Sequence, residues 1–148
     1  EREEILPEDI DAICVKTTAY RVYDLANTLL RGDAGQAFTL SRALIRDGEE
    51  PLFLLALLQG ECRRMLAVKL LRGAGMQPDA IAGKIGAPPF AVRQMYQQVA
   101  RYTERQLRDM AQCCMDTEYQ VKSGRMALEG ALEKTMLQLL RIRLEGKA

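Results

Sequence analysis

The chain has 148 residues, 48% hydrophobic and 28% charged, which is enough for one substantial core. Twenty-one basic against 20 acidic side chains leave a net charge of +1, so no one-signed field covers the surface to hold a polyanion or a membrane. The absence of His removes Ser/His/Asp and Cys/His catalysis and the commonest metal ligand.

The four cysteines, Cys14, Cys62, Cys113 and Cys114, contain no Cys-x-x-Cys pair. Each sits in an apolar helical pattern, where a reduced thiol packs as a small hydrophobe. Neither zinc nor a disulfide framework is expected, and a reducing cytoplasm fits this usage. No run reaches the ~18–20 unbroken apolar residues of a membrane span; the longest is Leu52 to Leu58. The chain opens at Glu1, without an initiator Met and already in mid-pattern, so a longer parent protein is expected.

Spacing of 3.6 residues recurs throughout, and no run alternates between apolar and polar residues long enough to make a strand. An all-α bundle of about seven helices is predicted, preceded by one short helix. That short helix runs from Pro7 to Val15, with Glu8, Asp9 and Asp11 at its positive end and Ile10 and Ile13 inward. Residues 1–20 carry six acids against Arg2 and Lys16, and this shift predicts a boundary near residue 18. A second helix, Tyr20 to about Arg31, places Val22, Leu25, Ala26 and Leu29 on one stripe and ends at Gly32. Asp33 caps a third, which buries Ala37, Leu40 and Ala43 or Leu44 and stops at Gly48. The short connection makes these two an αα-hairpin.

Pro51 to about Arg72 reads as the central buried helix, apolar all round for two turns before Glu61, Arg63 and Arg64 restore a polar face. Short helices follow at Pro78 to Ile85 and Pro89 to Tyr102. A long one runs from Thr103 to Ser123 with Leu107, Met110, Ala111, Cys114 and Val121 inward, ended by Gly124. The last spans about Leu128 to Leu144, with Leu132, Met136, Leu139 and Leu140 facing the core. The seven methionines read as core filler.

Ala82, Gly86 and Val92 stand at the offsets of a helix-turn-helix: a small residue for a close crossing, Gly for the turn and a branched plug between the helices. In a DNA-reading version, Arg93, Gln94, Gln97 and Gln98 would face bases or phosphates. Any two short helices crossing steeply need the same positions, and Pro88-Pro89 removes two backbone N–H groups from the turn that would approach the groove. Packing is therefore the preferred reading. The carboxylate pairs Asp116/Glu118 and Glu49/Glu50 have no nucleophile or ligand set beside them, and no phosphate-binding Gly loop occurs.

The order of short motifs adds a resemblance. Ile5-Leu6-Pro7-Glu8-Asp9-Ile10, Val22-Tyr23-Asp24-Leu25, Leu30-Arg31-Gly32-Asp33 and Gly48-Glu49-Glu50-Pro51 are followed by Glu61-Cys62-Arg63 and Lys69. Ile81-Ala82, Ile85-Gly86, Pro89-Phe90 and Lys122-Ser123-Gly124 complete the series. Together they resemble the C-terminal region of the DNA polymerase III delta subunit family, a bacterial clamp-loader component, with Gly60, Cys62 and Tyr119-Gln120 as departures.

The resemblance implies that residues 1–17 are the end of a lid domain and 18–148 a helical collar domain. Such a collar joins clamp-loader subunits into a ring that loads the sliding clamp for DNA replication. It further implies no cofactor and no catalytic residue here, although the parent holoenzyme is a DNA-directed DNA polymerase, a nucleotidyltransferase. Partners would be other clamp-loader subunits, with the sliding clamp reached only through an N-terminal domain, DNA only indirectly, and no membrane. The implied location is the bacterial cytoplasm. Arg63, Arg64, Lys69, Lys122, Arg141 and Arg143 are the candidate residues for a subunit seam, where Arg is favoured for its planar fork of donors.

Overall fold

Apolar residues recurring every third or fourth position become helix wherever the pattern is read. The computed structural model describes residues 21–145, so the expected helix Pro7–Val15 and the boundary near residue 18 lie outside the described residues. Among the described residues there are seven α-helices, one turn of 3-10 helix and no strand. They are α1 (helical over 21–31), α2 (Ala34–Arg46), α3 (Pro51–Gly73), α4 (Pro78–Ile85), α5 (Pro89–Gln98), α6 (Glu104–Lys122) and α7 (Ala131–Glu145), with the 3-10 turn Val99–Arg101 after α5.

Local chemistry sets the ends. Asp33 accepts the Gln36 N–H at 3.2 Å and starts α2. Thr103 and Gln106 form a reciprocal capping box at α6, with bonds of 3.1 and 2.8 Å, a device worth about 1 kcal/mol. Pro residues open α3, α4 and α5, where a missing N–H costs nothing.

The helix α3 is the axis, and its longest contact is with α6. Leu54, Leu55, Leu58, Met65 and Val68 of α3 meet Leu107, Met110 and Cys114 of α6 in one core cluster. Each fully buried Leu there contributes about 2 kcal/mol. Helices α4 and α5 pack on each other and on the far half of α3, and α7 lies against α6 and α3. Val22, Leu25, Ala26 and Leu29 place α1 in the same cluster.

Two boundaries differ from expectation. The helix from Pro89 ends at Gln98, and its last turn tightens to 3-10 because α3 grips the carbonyls there: Lys69 Nζ donates to Val99 at 3.0 Å and Arg72 donates to Tyr96. The last helix starts at Ala131 rather than near Leu128, because Gly130 adopts a φ of +77° that no helix accommodates. Leu40, Val121 and Leu140, expected inward, are half-buried.

The turn after α1 is fixed by contact from far along the chain. Gly32 has a φ of +85°, and a Cβ there would lie 2.5 Å from Nη1 of Arg143. Gly32→Ala should therefore lower stability by about 2 kcal/mol, from the left-handed backbone and the displaced guanidinium together. Thermal unfolding of the variant beside wild type measures it.

Candidate functional site

Each predicted charged candidate has a definite place. On α3, Arg64 pairs with Glu61 at 2.7 Å, and Arg63 is exposed with no ion pair among the described residues. Lys69 is half-buried on the Val99 carbonyl, and Arg143 donates from Nε to the Leu30 carbonyl at 3.2 Å. Lys122 and Arg141 make exposed pairs one helical turn away, with Glu118 at 2.7 Å and Glu145 at 2.9 Å. The six do not converge: Lys69 and Arg143 tie helices together within the chain, whereas Arg63, Arg64, Lys122 and Arg141 are at the surface. Exposed pairs such as the last two contribute little to stability.

The residues of the helix-turn-helix reading are likewise placed. Gly86 has a φ of +68°, and Ala82 and Val92 are buried between the two helices, as their spacing requires. Arg93 and Gln97 face outward. Gln94 accepts a hydrogen bond from the Tyr23 hydroxyl and Gln98 donates to Asn27, so α1 lies along the side of α5 that would have to enter a groove. An edge-to-face contact of Tyr23 with Phe90, centroids 6.2 Å apart, reinforces that packing.

No chemistry converges elsewhere. Among the described residues no three Cys, Asp or Glu side chains are grouped to hold a metal ion. Burial first, then the neighbouring Cys114 and Asp116, raises the Cys113 thiol to about 11, a value at which it is not a nucleophile at neutral pH. The Cys114 thiol is pushed up by its hydrogen bond with Cys62 and by burial in the α3–α6 seam. A groove of about 600 Å³ between α6 and α7 mixes Asp109, Asp116 and Glu145 with Lys134 and Arg141, so its walls favour neither sign of ligand. No helix of the described residues is long and apolar enough to cross a membrane.

Exposed apolar side chains are the feature that residue-by-residue reading missed. Phe53 (48%) and Leu70 (42%) on α3, and Leu137 (58%) and Leu144 (64%) on α7, keep large surfaces in water. The signal was present for α3, whose opening turns are apolar all round; expected to be buried on every side, the helix instead leaves Phe53 and Ala56 exposed.

Comparison with known proteins then decides the family. The family model described as DNA polymerase III delta subunit, C-terminal domain, matches residues 19–139. The chain belongs to this family. It is similar to DNA polymerase III subunit delta of Bacillus subtilis (strain 168), 25% identical over 141 residues, covering 95% of this chain and 41% of that one. Among solved structures it is similar to the Bacillus subtilis DNA clamp loader delta protein (YqeN), with a TM-score of 0.78 at 25% identity, over 95% of this chain and 42% of the other. The chain thus spans about two-fifths of the length of the relatives it matches.

The delta-family core also contains one titrating group worth isolating. Desolvation raises the Glu61 carboxyl above its ordinary range, with Arg64 only partly opposing it. A carboxyl whose folded pKa is raised binds its proton more tightly in the native state, so stability falls as pH rises from the unfolded value of 4.5 through the folded one. Glu61→Gln should remove that loss: denaturant melts should show wild type losing stability relative to the variant from pH 4 to pH 7.

Proposed function

We propose that this delta-family domain is an assembly module: the collar by which a delta subunit joins other clamp-loader subunits in a ring that loads the sliding clamp during DNA replication. The observation that supports it best is the match over residues 19–139, together with the likeness to a solved clamp loader delta protein at a TM-score of 0.78. On this reading residues 1–17 belong to the end of a lid domain and 18–148 to the collar. The domain takes no cofactor and performs no catalysis. It meets the sliding clamp only through the rest of the parent chain and works in the bacterial cytoplasm. Affinity would come from buried apolar patches rimmed by ionic groups such as Arg63, Arg64, Lys122 and Arg141.

The competing reading, a DNA-binding helix-turn-helix over residues 78–102, is disfavoured by the hydrogen bonds that hold Gln94 and Gln98 against α1. Light scattering of the full-length delta chain with the other clamp-loader subunits should give a complex of defined mass, and a chain that stays alone would overturn the assembly reading. In the assembled loader, Arg93→Ala and Gln97→Ala should leave duplex affinity unchanged, within about twofold, across a salt series.

A further inference from the structure

The helix α3 has no polar side chain from Pro51 to Leu58 and no charge before Glu61, yet among the described residues its Phe53 and Ala56 side stays exposed. Phe53, Ala56, Gly60, Arg63, Ala67 and Leu70 share an arc of about 100° opposite Leu54, Leu58 and Met65, and the arc extends for about 25 Å along the helix. The outer side of α6 is mostly charged, with Glu104, Arg105, Arg108, Asp109, Gln112 and Asp116 exposed, although Met115 and Tyr119 are exposed beside them.

Gly60 is a second and independent observation. A glycine inside a helix is among the least favourable choices, and here nothing among the described residues asks for one. Its φ is not positive, and a Cβ added to it would meet no atom within 4 Å. The small residue leaves a dent between Phe53, Ala56 and Ala67, open to the outside. Beside the dent, Arg63 is exposed and has no ion pair among the described residues.

We propose that this face of α3 receives an amphipathic helix of a neighbouring clamp-loader subunit, with a branched apolar side chain seated over Gly60 and a carboxylate meeting Arg63. The proposal rests on the assembly reading and names the surface it uses. A straight apolar strip about 25 Å long matches a helix of roughly four to five turns lying along it. Charge argues against a second copy of this chain, because two such faces related by a two-fold axis would cross near Arg63 and Arg64 and bring like charges together.

The test uses the full-length delta chain with the other clamp-loader subunits, measuring association by titration calorimetry and stability by thermal melts. Gly60→Ala should raise Tm by a few degrees, on the order of 2–6 °C, and yet weaken association. Gly60→Leu and Arg63→Glu should each weaken association about tenfold or more, and Arg63→Glu should leave Tm unchanged. If wild type assembles and both of these variants assemble equally well, this surface is wrong while the assembly reading stands. If wild type does not assemble, both fail. A wild-type homodimer abolished by the same two substitutions would assign the face to a second copy and overturn the proposed occupant.

Discussion

The carbonyl of Leu30, left without a helical partner where α1 stops, fastens α1 to the junction before α6 and to the last turn of α7. The Tyr102 hydroxyl and Arg143 Nε both donate to it, one from the junction before α6 and one from the last turn of α7. Gly32 lets the backbone turn beneath the guanidinium, and Gln106 returns the tie by donating to the Ile142 and Arg143 carbonyls at 3.2 and 3.4 Å. Burial raises the Tyr102 phenol, with Arg143 opposing the shift, so the hydroxyl keeps its proton and remains a donor. Leu30, Tyr102 and Gln106 are buried, and the penalty for leaving a buried polar atom of theirs without a partner exceeds the net gain from any single bond. The end of α1, the start of α6 and the end of α7 are therefore fixed as one unit.

The same logic governs α5. Lys69 and Arg72 project from α3 to the carbonyl end of α5, where cations meet the negative pole of the helix, and the Arg72 guanidinium also lies 4.4 Å from the Tyr96 ring centroid. With α3 holding one end and α1 lying along one side, α5 is braced at both, and Arg93, Gln97 and its opening turn face outward. A helix that reads DNA must present its first turns and one whole face to a groove; here Pro88-Pro89 open the helix and Gln94 and Gln98 bond to α1. The small, Gly and branched positions at Ala82, Gly86 and Val92 serve the crossing of α4 and α5.

Much of this was legible in one dimension. Pro51, Pro78 and Pro89 each mark the first residue of a helix, Asp33 and Thr103 cap theirs, and the inward stripes of α1 and α6 follow their periodicity. What periodicity does not carry is the bond made across 30 to 113 residues. Lys69 and Arg143 look like surface cations in sequence, and only the fold brings a free carbonyl to each. Periodicity is equally silent on the buried bond that the Thr135 hydroxyl donates to the Thr117 hydroxyl in the α6–α7 seam at 3.0 Å. Nor does a string of letters separate an apolar residue facing the core from one facing outward within a run that is apolar all round, which is why Phe53 was not distinguished from Leu54.

That last ambiguity has a geometrical resolution. Subunits in a closed ring of like-folded parts touch head to tail, so each needs two different faces, and a self-complementary patch would give a dimer instead. This domain has two separate apolar strips of unlike character. One, on α3, is long and dented at Gly60 with Arg63 beside it; the other, on α7, is a pair of protruding leucines, Leu137 and Leu144, two turns apart. A dent on one side and knobs on the other are complementary in kind. On the proposed assembly reading, neighbouring subunits that exclude water from both strips would recover the cost of exposing those side chains.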